Sequence, residues 1–150
     1  MREIRAIIPT HRCLLVLGLA LFPALGMSQD ILVVANKTVS ASEISSTELR
    51  DIYTGTRSHF SDGNRAIPVV LKGGPVHEVF LNHYLGENPD EFRTRWRKAV
   101  FTGQGAMLKE FGSEAAMLEY VAATPGAIGY CSRIPNQDSV KVLTVWKAAH

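Results

Sequence analysis

The residues from Leu71 to Leu81, LKGGPVHEVFL, combine side-chain types that could bind an anion. A lysine and two glycines follow a β-branched segment and precede an apolar, helix-like segment. A helix start exposes backbone N–H groups and a partial positive charge, and paired glycines let an anion approach the backbone closely. We therefore predict ligand-binding roles for the following residues of this turn: Lys72, Gly73, Gly74, Val76 and His77.

A purely structural explanation of the same turn stays open. Gly73 and Gly74 can be turn residues, Pro75 suits the start of a helix, and Lys72 and His77 can be solvated. The turn has no hydroxyl side chain and no arginine, and its proline lacks a backbone N–H. An anion site built on these residues is expected to bind weakly.

Other reactive residue types form no recognisable catalytic or metal-binding pattern. Four histidines share no metal-ligand spacing: His59, His77, His83 and His150. Cys131 directly follows an apolar Gly-Tyr segment, which favours a small buried residue over a nucleophile. An enzyme that uses Cys131 and a histidine would need a tertiary contact that the sequence cannot show. No nucleotide-binding motif is present, and we predict no enzymatic activity, no cofactor and no metal.

Two polar groups elsewhere have functional and structural interpretations. The turn Arg57–Ser58–His59 could contact a ligand, but turns of this kind are commonly structural. Arg93, Arg95, Arg97 and Lys98 could face a negatively charged partner. They are more simply the solvated side of a helix whose apolar stripe faces the core.

Strand and helix signals alternate along the chain and position these residues. Apolar or alternating segments predict strands at 31–35, 67–71, 127–131 and 140–145. Helix starts are predicted at Ser45, with a Ser45–Glu48 capping box, near Pro75, at Asn88 and at Ser113. Gly55 and Gly86 are predicted to end the first two helices. This alternation predicts an α/β fold, a three-layer-like sandwich around a mixed, mostly parallel sheet.

Residues 1–28 have the pattern of a secretory signal peptide. Three arginines precede an apolar segment from Cys13 to Leu25, and small residues follow at Gly26 and Ser28. Cleavage after Ser28 is predicted, cleavage after Gly26 is the near alternative, and an uncleaved anchor stays open. Residues 29–150 then form one domain with thirteen basic and thirteen acidic residues, a balance that makes no electrostatic case for nucleic-acid binding. We predict a periplasmic location.

Three segments together resemble the periplasmic phosphate-binding proteins of ABC importers. LRDIYTG (49–55), with FSDG (60–63) after it, is similar to their I-F-x-G … W-x-D stretch. IPVV (67–70), followed by the glycine turn and Phe80, is similar to their strand, phosphate loop and helix. TPGAIGY (124–130) is similar to their P-G-A-I-G-Y segment. The resemblance covers residues 31–146 and implies the fold of one lobe of a type 2 periplasmic binding protein.

The chain departs from this family in length and in its loop. Members have two lobes, and this chain has room for one. Aligned on Phe80, the arginine of the family's loop falls on Val70, and its Ser-Gly-Thr triplet falls on Gly74, Pro75 and Val76. Lys72 could replace the arginine only in part, because an ammonium lacks the planar guanidinium fork.

Two functions are hypotheses for such a chain: the resemblance implies the first, and the missing lobe and the missing side chains of the loop motivate the second. The first is a periplasmic solute-binding-like protein that binds phosphate or another small oxyanion weakly. The second is an accessory subunit without a ligand, which docks to an inner-membrane permease, an outer-membrane channel or a sensor protein. Such a subunit could also self-associate through the face where the other lobe would lie.

Overall fold

The computed structural model describes residues 29–149; residues 1–28, the predicted signal peptide, and His150 lie outside the described residues. Within 29–149, five strands form one sheet: β1 (Ile31–Ala35), β2 (Ile67–Leu71), β3 (Lys109–Phe111), β4 (Ala127–Cys131) and β5 (Lys141–Trp146). Their spatial order is β3-β2-β4-β1-β5. Each strand predicted from the sequence is present.

The sheet is mixed, as predicted. β2 pairs in parallel with β3 and with β4, while β1 pairs antiparallel with β4 and with β5. Four strands therefore run in one direction and β1 runs against them. The register of β1 against β5 shifts between Val33 and Val34.

Helices cover both faces of the sheet. They are α1 (Ser46–Thr54), α2 (Pro75–Phe80), which continues as a π-helical turn (Leu81–Leu85), α3 (Pro89–Phe101) and α4 (Glu114–Ala123). On β4, Gly129 lies against Met117 and Val121 of α4, whereas its neighbour Tyr130 stacks on Phe80 of α2. Successive side chains of a strand point to opposite faces, so this pair places α4 on one face and α2 on the other. The predicted three-layer arrangement is confirmed.

The helix starts follow the predicted residues, with one correction. The Ser45 hydroxyl accepts a hydrogen bond from the Glu48 N–H at 3.1 Å. The Glu48 carboxylate does not return the bond; it accepts from the Ser61 N–H at 2.7 Å. The predicted capping box is therefore half formed, because a tertiary donor competes for the carboxylate. A complete capping box closes instead between Asn88 and Glu91.

Sequence patterns missed β3 and the π-helical turn. β3 is an edge strand of three residues, of which Lys109 and Glu110 are exposed. It therefore shows neither an apolar run nor alternation. Gly86 ends the π-helical turn in a left-handed conformation (φ 68°), as the predicted stop at this glycine requires. Within residues 29–149, no helix combines the length and apolar character needed to cross a membrane.

Candidate functional site

A cleft of about 610 Å³ opens at the carboxyl end of β2. Open α/β sheets commonly bind ligands beyond the carboxyl ends of their strands. The end of β2, the first turn of α2, one face of α3 and the segment leading into β3 form its walls. The lining residues are Val70, Leu71, Lys72, His77, Pro89, Phe92, Arg93, Trp96, Arg97, Val100, Phe101, Met107, Leu108 and Glu110.

The structure separates the five predicted site residues into two groups. Lys72 and His77 line the cleft, whereas Gly73, Gly74 and Val76 are not among its lining residues. The two glycines are exposed and Val76 is buried. Gly74 has φ +96°, a conformation that L side chains rarely adopt. The serine that the resembling family has at this position would therefore be strained in this turn.

His77 is buried rather than solvated. Its Nδ1 atom lies 2.5 Å from the Tyr130 hydroxyl, and that hydroxyl oxygen accepts a hydrogen bond from the Leu71 N–H at 3.0 Å. A tyrosine hydroxyl has one proton to donate, and Nδ1 is the acceptor within reach. The network therefore assigns the proton of the imidazole to Nε2.

The Nε2–H group of His77 is the donor that this ring offers to a ligand. It makes no hydrogen bond within residues 29–149, and it is not sealed from solvent. Burial, with a smaller contribution from the positive charge of Arg93, lowers the pKa of His77 to about 4. The imidazole therefore stays neutral near pH 7 and acts as a hydrogen-bond donor without a charge.

Three cations and one carboxylate lie around the cleft. Lys72 and Arg97 are exposed and make no ion pair or side-chain hydrogen bond within the described residues. Arg93 forms an exposed ion pair with Asp90 at 3.0 Å. Glu110, on β3, is the acidic lining residue. The cleft therefore carries a net positive charge that favours an anionic ligand.

The greater part of the cleft wall is apolar. Phe92 and Trp96 form its buried part, and Val100 extends it along α3. At the edge, Phe101 is 93% exposed and Met107 is 82% exposed. Sequence patterns assigned the α3 residues to the core and did not identify this wall. Phe101 and Met107, two large apolar residues on either side of the polar, glycine-containing loop 102–106, are the sequence signal that could have identified this wall.

Arg95 corrects the prediction that the α3 cations all lie on a solvated face. Its guanidinium binds both carboxylate oxygens of Glu87, at 2.7 and 3.1 Å, and is partly buried. The same group lies 5.2 Å from the centroid of the Phe92 ring. Arg93, Arg97 and Lys98 are exposed, as predicted.

The motif TPGAIGY (124–130) has a structural explanation at each of three positions. Gly126 has φ +77°, and a Cβ atom there would lie 2.3 Å from the Arg65 carbonyl oxygen. A Cβ atom on Gly129 would lie 2.9 Å from the Met117 sulfur. Tyr130 supplies the hydroxyl that binds Leu71 and His77. Gly126 therefore allows close packing at the start of β4, Gly129 allows close packing against α4, and Tyr130 determines the packing beneath the cleft; none of the three lines it.

Cys131 and the Arg57–His59 turn show no features of a reactive site. Cys131 is buried, and burial, with the nearby Glu114 carboxylate, raises the pKa of its thiol to about 12. A protonated thiol is a poor nucleophile. In the turn, Arg57 Nε donates to the His59 carbonyl, and the Ser58 hydroxyl bonds His59 Nδ1. Among residues 29–149, no three His, Cys, Asp or Glu side chains group as a metal site would require.

Solved structures of phosphate-binding proteins share this architecture. A phosphate ABC transporter substrate-binding protein from Clostridium perfringens, with bound phosphate, superposes with a TM-score of 0.58 at 18% identity. PstS from Borrelia burgdorferi gives 0.56 at 14%, and an ABC-type phosphate transport receptor from Vibrio cholerae gives 0.51 at 15%. Each match covers 77% of this chain. This chain has the fold of the phosphate-binding proteins.

The phosphate-binding-protein fold confirms the resemblance read from the three sequence segments. The chain spans less than half of the length of these proteins, with matches over 44%, 47% and 45% of the Clostridium, Borrelia and Vibrio chains. No protein-family model and no curated protein sequence matches the chain. The similarity is therefore one of fold, because the sequence identities to these proteins are all below a fifth.

Proposed function

We propose that this phosphate-binding-protein-like chain is an exported binding protein that holds phosphate or another small oxyanion weakly in the cleft at the end of β2. Its mature form would begin at residue 29 and act in the periplasm. One observation carries this proposal: Lys72, Arg97 and His77, whose Nε2–H group makes no hydrogen bond within the described residues, line the same cleft. Two charges and a neutral donor suit an anion with several acceptor oxygens.

The same residues favour weak binding over tight binding. Lys72 and Arg97 are exposed, so water and salt screen their attraction for an anion. The turn offers no hydroxyl, and Pro75 offers no N–H. The described lining of the cleft offers few donors that could replace the water shell of phosphate. Hydrogen bonds to water that are not replaced reduce the affinity.

Isothermal titration of residues 29–150 with phosphate tests the proposal. We expect heat that saturates in the millimolar range and disappears in Lys72→Gln/Arg97→Gln. Arg133→Gln is the matched control, because it removes an exposed cation that does not line the cleft. Absence of heat and of thermal stabilisation with phosphate, sulfate and acetate, each at several millimolar, would exclude an oxyanion site.

A second candidate function is that of an accessory subunit without a solute. The observation that favours it is the exposure of Phe101 and Met107 beside the cleft, because exposed apolar groups are enriched at protein contacts. Its partner would be an inner-membrane permease, an outer-membrane channel, a sensor protein or a second copy of the chain. Cross-linking in periplasm separates these cases: a product lost in Phe101→Ala/Met107→Ala supports this function, and a monomer alone counts against it.

A further inference from the structure

We propose that the preferred ligand of the cleft is a small free organic acid, with an anionic head and an apolar body, and that inorganic phosphate binds there more weakly. This inference rests on the proposed anion site and names the substrate class for it. It is carried by the volume of the cleft, by its apolar wall and by the net positive charge around it.

The volume exceeds what a small inorganic ion requires. The 610 Å³ of the cleft corresponds to about twenty water molecules at about 30 Å³ each. Phosphate would displace few of them and leave the rest against apolar side chains. Clefts of about 300–1,000 Å³ are typical of organic ligands that bury most of their surface.

The composition of the wall selects an apolar body. Phe92, Trp96, Val100, Phe101 and Met107 offer aromatic and aliphatic surface and few hydrogen-bond donors. Such a wall cannot replace the water around a multiply charged ion, so it penalises phosphate entry. It gains free energy from each methylene or ring edge that it covers. Met107 adds an unbranched, adaptable contact at the edge.

The charges select an anionic head. Lys72 and Arg97 lack ion-pair partners within the described residues, and Glu110 offsets one positive charge. The neutral His77 adds a directional Nε2–H donor. A carboxylate has two acceptor oxygens, which can bind one cation and this donor at once. An uncharged alcohol of the same length would lack the ionic contact.

Trp96 lies in the cleft wall and can report binding. The chain has two tryptophans, Trp96 and Trp146, and Trp146 does not line the cleft. A Trp146→Phe variant of residues 29–150 therefore leaves Trp96 as the single tryptophan, which can be excited selectively over the tyrosines. Its emission would be followed while acetate, hexanoate, octanoate, octanol or phosphate is added at fixed ionic strength. Titration calorimetry on the unmodified chain would check each affinity.

We expect affinity to rise along the carboxylate series. Each methylene that the cleft covers should lower the Kd by about fourfold, so octanoate binds more tightly than hexanoate and acetate. Octanol should bind about threefold more weakly than octanoate, and Lys72→Gln/Arg97→Gln should remove that difference. Phe101→Ala/Met107→Ala should weaken octanoate but not acetate. Val142→Ala/Val145→Ala is the matched control, since these exposed apolar residues do not line the cleft.

The ligands separate failure of this inference from failure of the proposed anion site. Phosphate and acetate binding as tightly as octanoate would overturn the organic-acid inference and leave the oxyanion site intact. Octanol binding as tightly as octanoate would overturn both, because charge would then be irrelevant. No binding, with a dimer in light scattering that Phe101→Ala/Met107→Ala dissociates, would also overturn both and identify a second copy as the occupant.

Discussion

The imidazole of His77 and the hydroxyl of Tyr130, 53 residues apart in the sequence, form a buried hydrogen bond beneath the cleft. The two rings lie 19° from parallel, with centroids 6.1 Å apart. The bond connects the first turn of α2 to the penultimate residue of β4. Since Tyr130 also binds the Leu71 N–H at the end of β2, one hydroxyl joins three elements that position the candidate site.

Acidification between pH 7 and 5 should destabilise the protein through His77. Its pKa is lowered to about 4 from an ordinary 6.5 by burial and then by Arg93. Between pH 6.5 and 4 the unfolded chain binds a proton at this residue that the folded chain does not bind. The contribution of neutral His77 to the free energy of unfolding is therefore fully present above pH 6.5 and falls as the pH drops towards 4. Urea unfolding should show a loss of about 2 kcal/mol at pH 5.

His77→Asn is the control for this pH effect. The amide oxygen of asparagine can accept the Tyr130 proton as Nδ1 does, but it does not titrate. The variant should lose most of the slope between pH 7 and 5. His83, whose pKa is lowered by burial, contributes in the same direction, and His83→Gln measures that share. An unchanged slope in His77→Asn would contradict the assignment to His77.

Removal of the Tyr130 hydroxyl should destabilise the protein. Tyr130→Phe leaves the buried Leu71 N–H and His77 Nδ1 without partners. Unsatisfied buried groups cost about 1–3 kcal/mol, and chemical unfolding should show a loss in that range. In nuclear magnetic resonance spectra, the His77 ring nitrogens should also lose the pattern of a single Nε2–H tautomer. Wild-type stability would show that the hydroxyl is not a structural bond.

Gly126 should be the glycine least tolerant of alanine. Both Gly126 and Gly63 have positive φ, +77° and +85°, but only at Gly126 does a Cβ atom meet a backbone oxygen, that of Arg65. Gly63→Ala should cost about 1–2 kcal/mol of backbone strain. Gly126→Ala should cost about 1–3 kcal/mol more because of the clash. Equal unfolding midpoints for the two variants would contradict the close approach to Arg65.

Arg95 and Arg93 should differ in their contribution to stability. Arg95 binds Glu87 through two nitrogens and packs on Phe92, whereas Arg93 pairs with the highly exposed Asp90. Arg95→Ala should cost about 1–2 kcal/mol, through lost packing as well as lost charge. Arg93→Ala should cost less than about 0.5 kcal/mol. Thermal unfolding of both variants, at low and at high salt, compares them directly.

Cys131 should resist alkylation in the native protein. Its thiol is buried and its pKa is raised to about 12 by burial and then by Glu114, so little thiolate is present at pH 8. Iodoacetamide should modify it only after urea unfolding, as mass spectrometry would record. Rapid modification of the folded chain would instead support a reactive cysteine.

The sequence by itself determined the elements that depend on local physics. Capping residues at Ser45, Asn88 and Ser113, and glycine stops at Gly55 and Gly86, predicted helix limits because these side chains and backbone conformations act within one turn. Apolar and alternating segments predicted four strands, because the hydrophobic pattern of a segment shows which of its side chains a strand can bury. The fold class followed from their alternation, and the TPGAIGY segment pointed to the phosphate-binding-protein fold.

Tertiary structure alone decided the site. His77 is buried against Tyr130, a hydrogen-bond partner 53 residues away. The Glu48 carboxylate binds the Ser61 N–H, 13 residues away, instead of its predicted capping partner. β3 formed because β2 offered an open edge, not because its own three residues favoured a strand. The apolar wall of the cleft emerged only when α3 packed beside the end of β2. Long-range contacts of this kind leave no period or spacing in the sequence, so chemistry that depends on them is visible only in the folded chain.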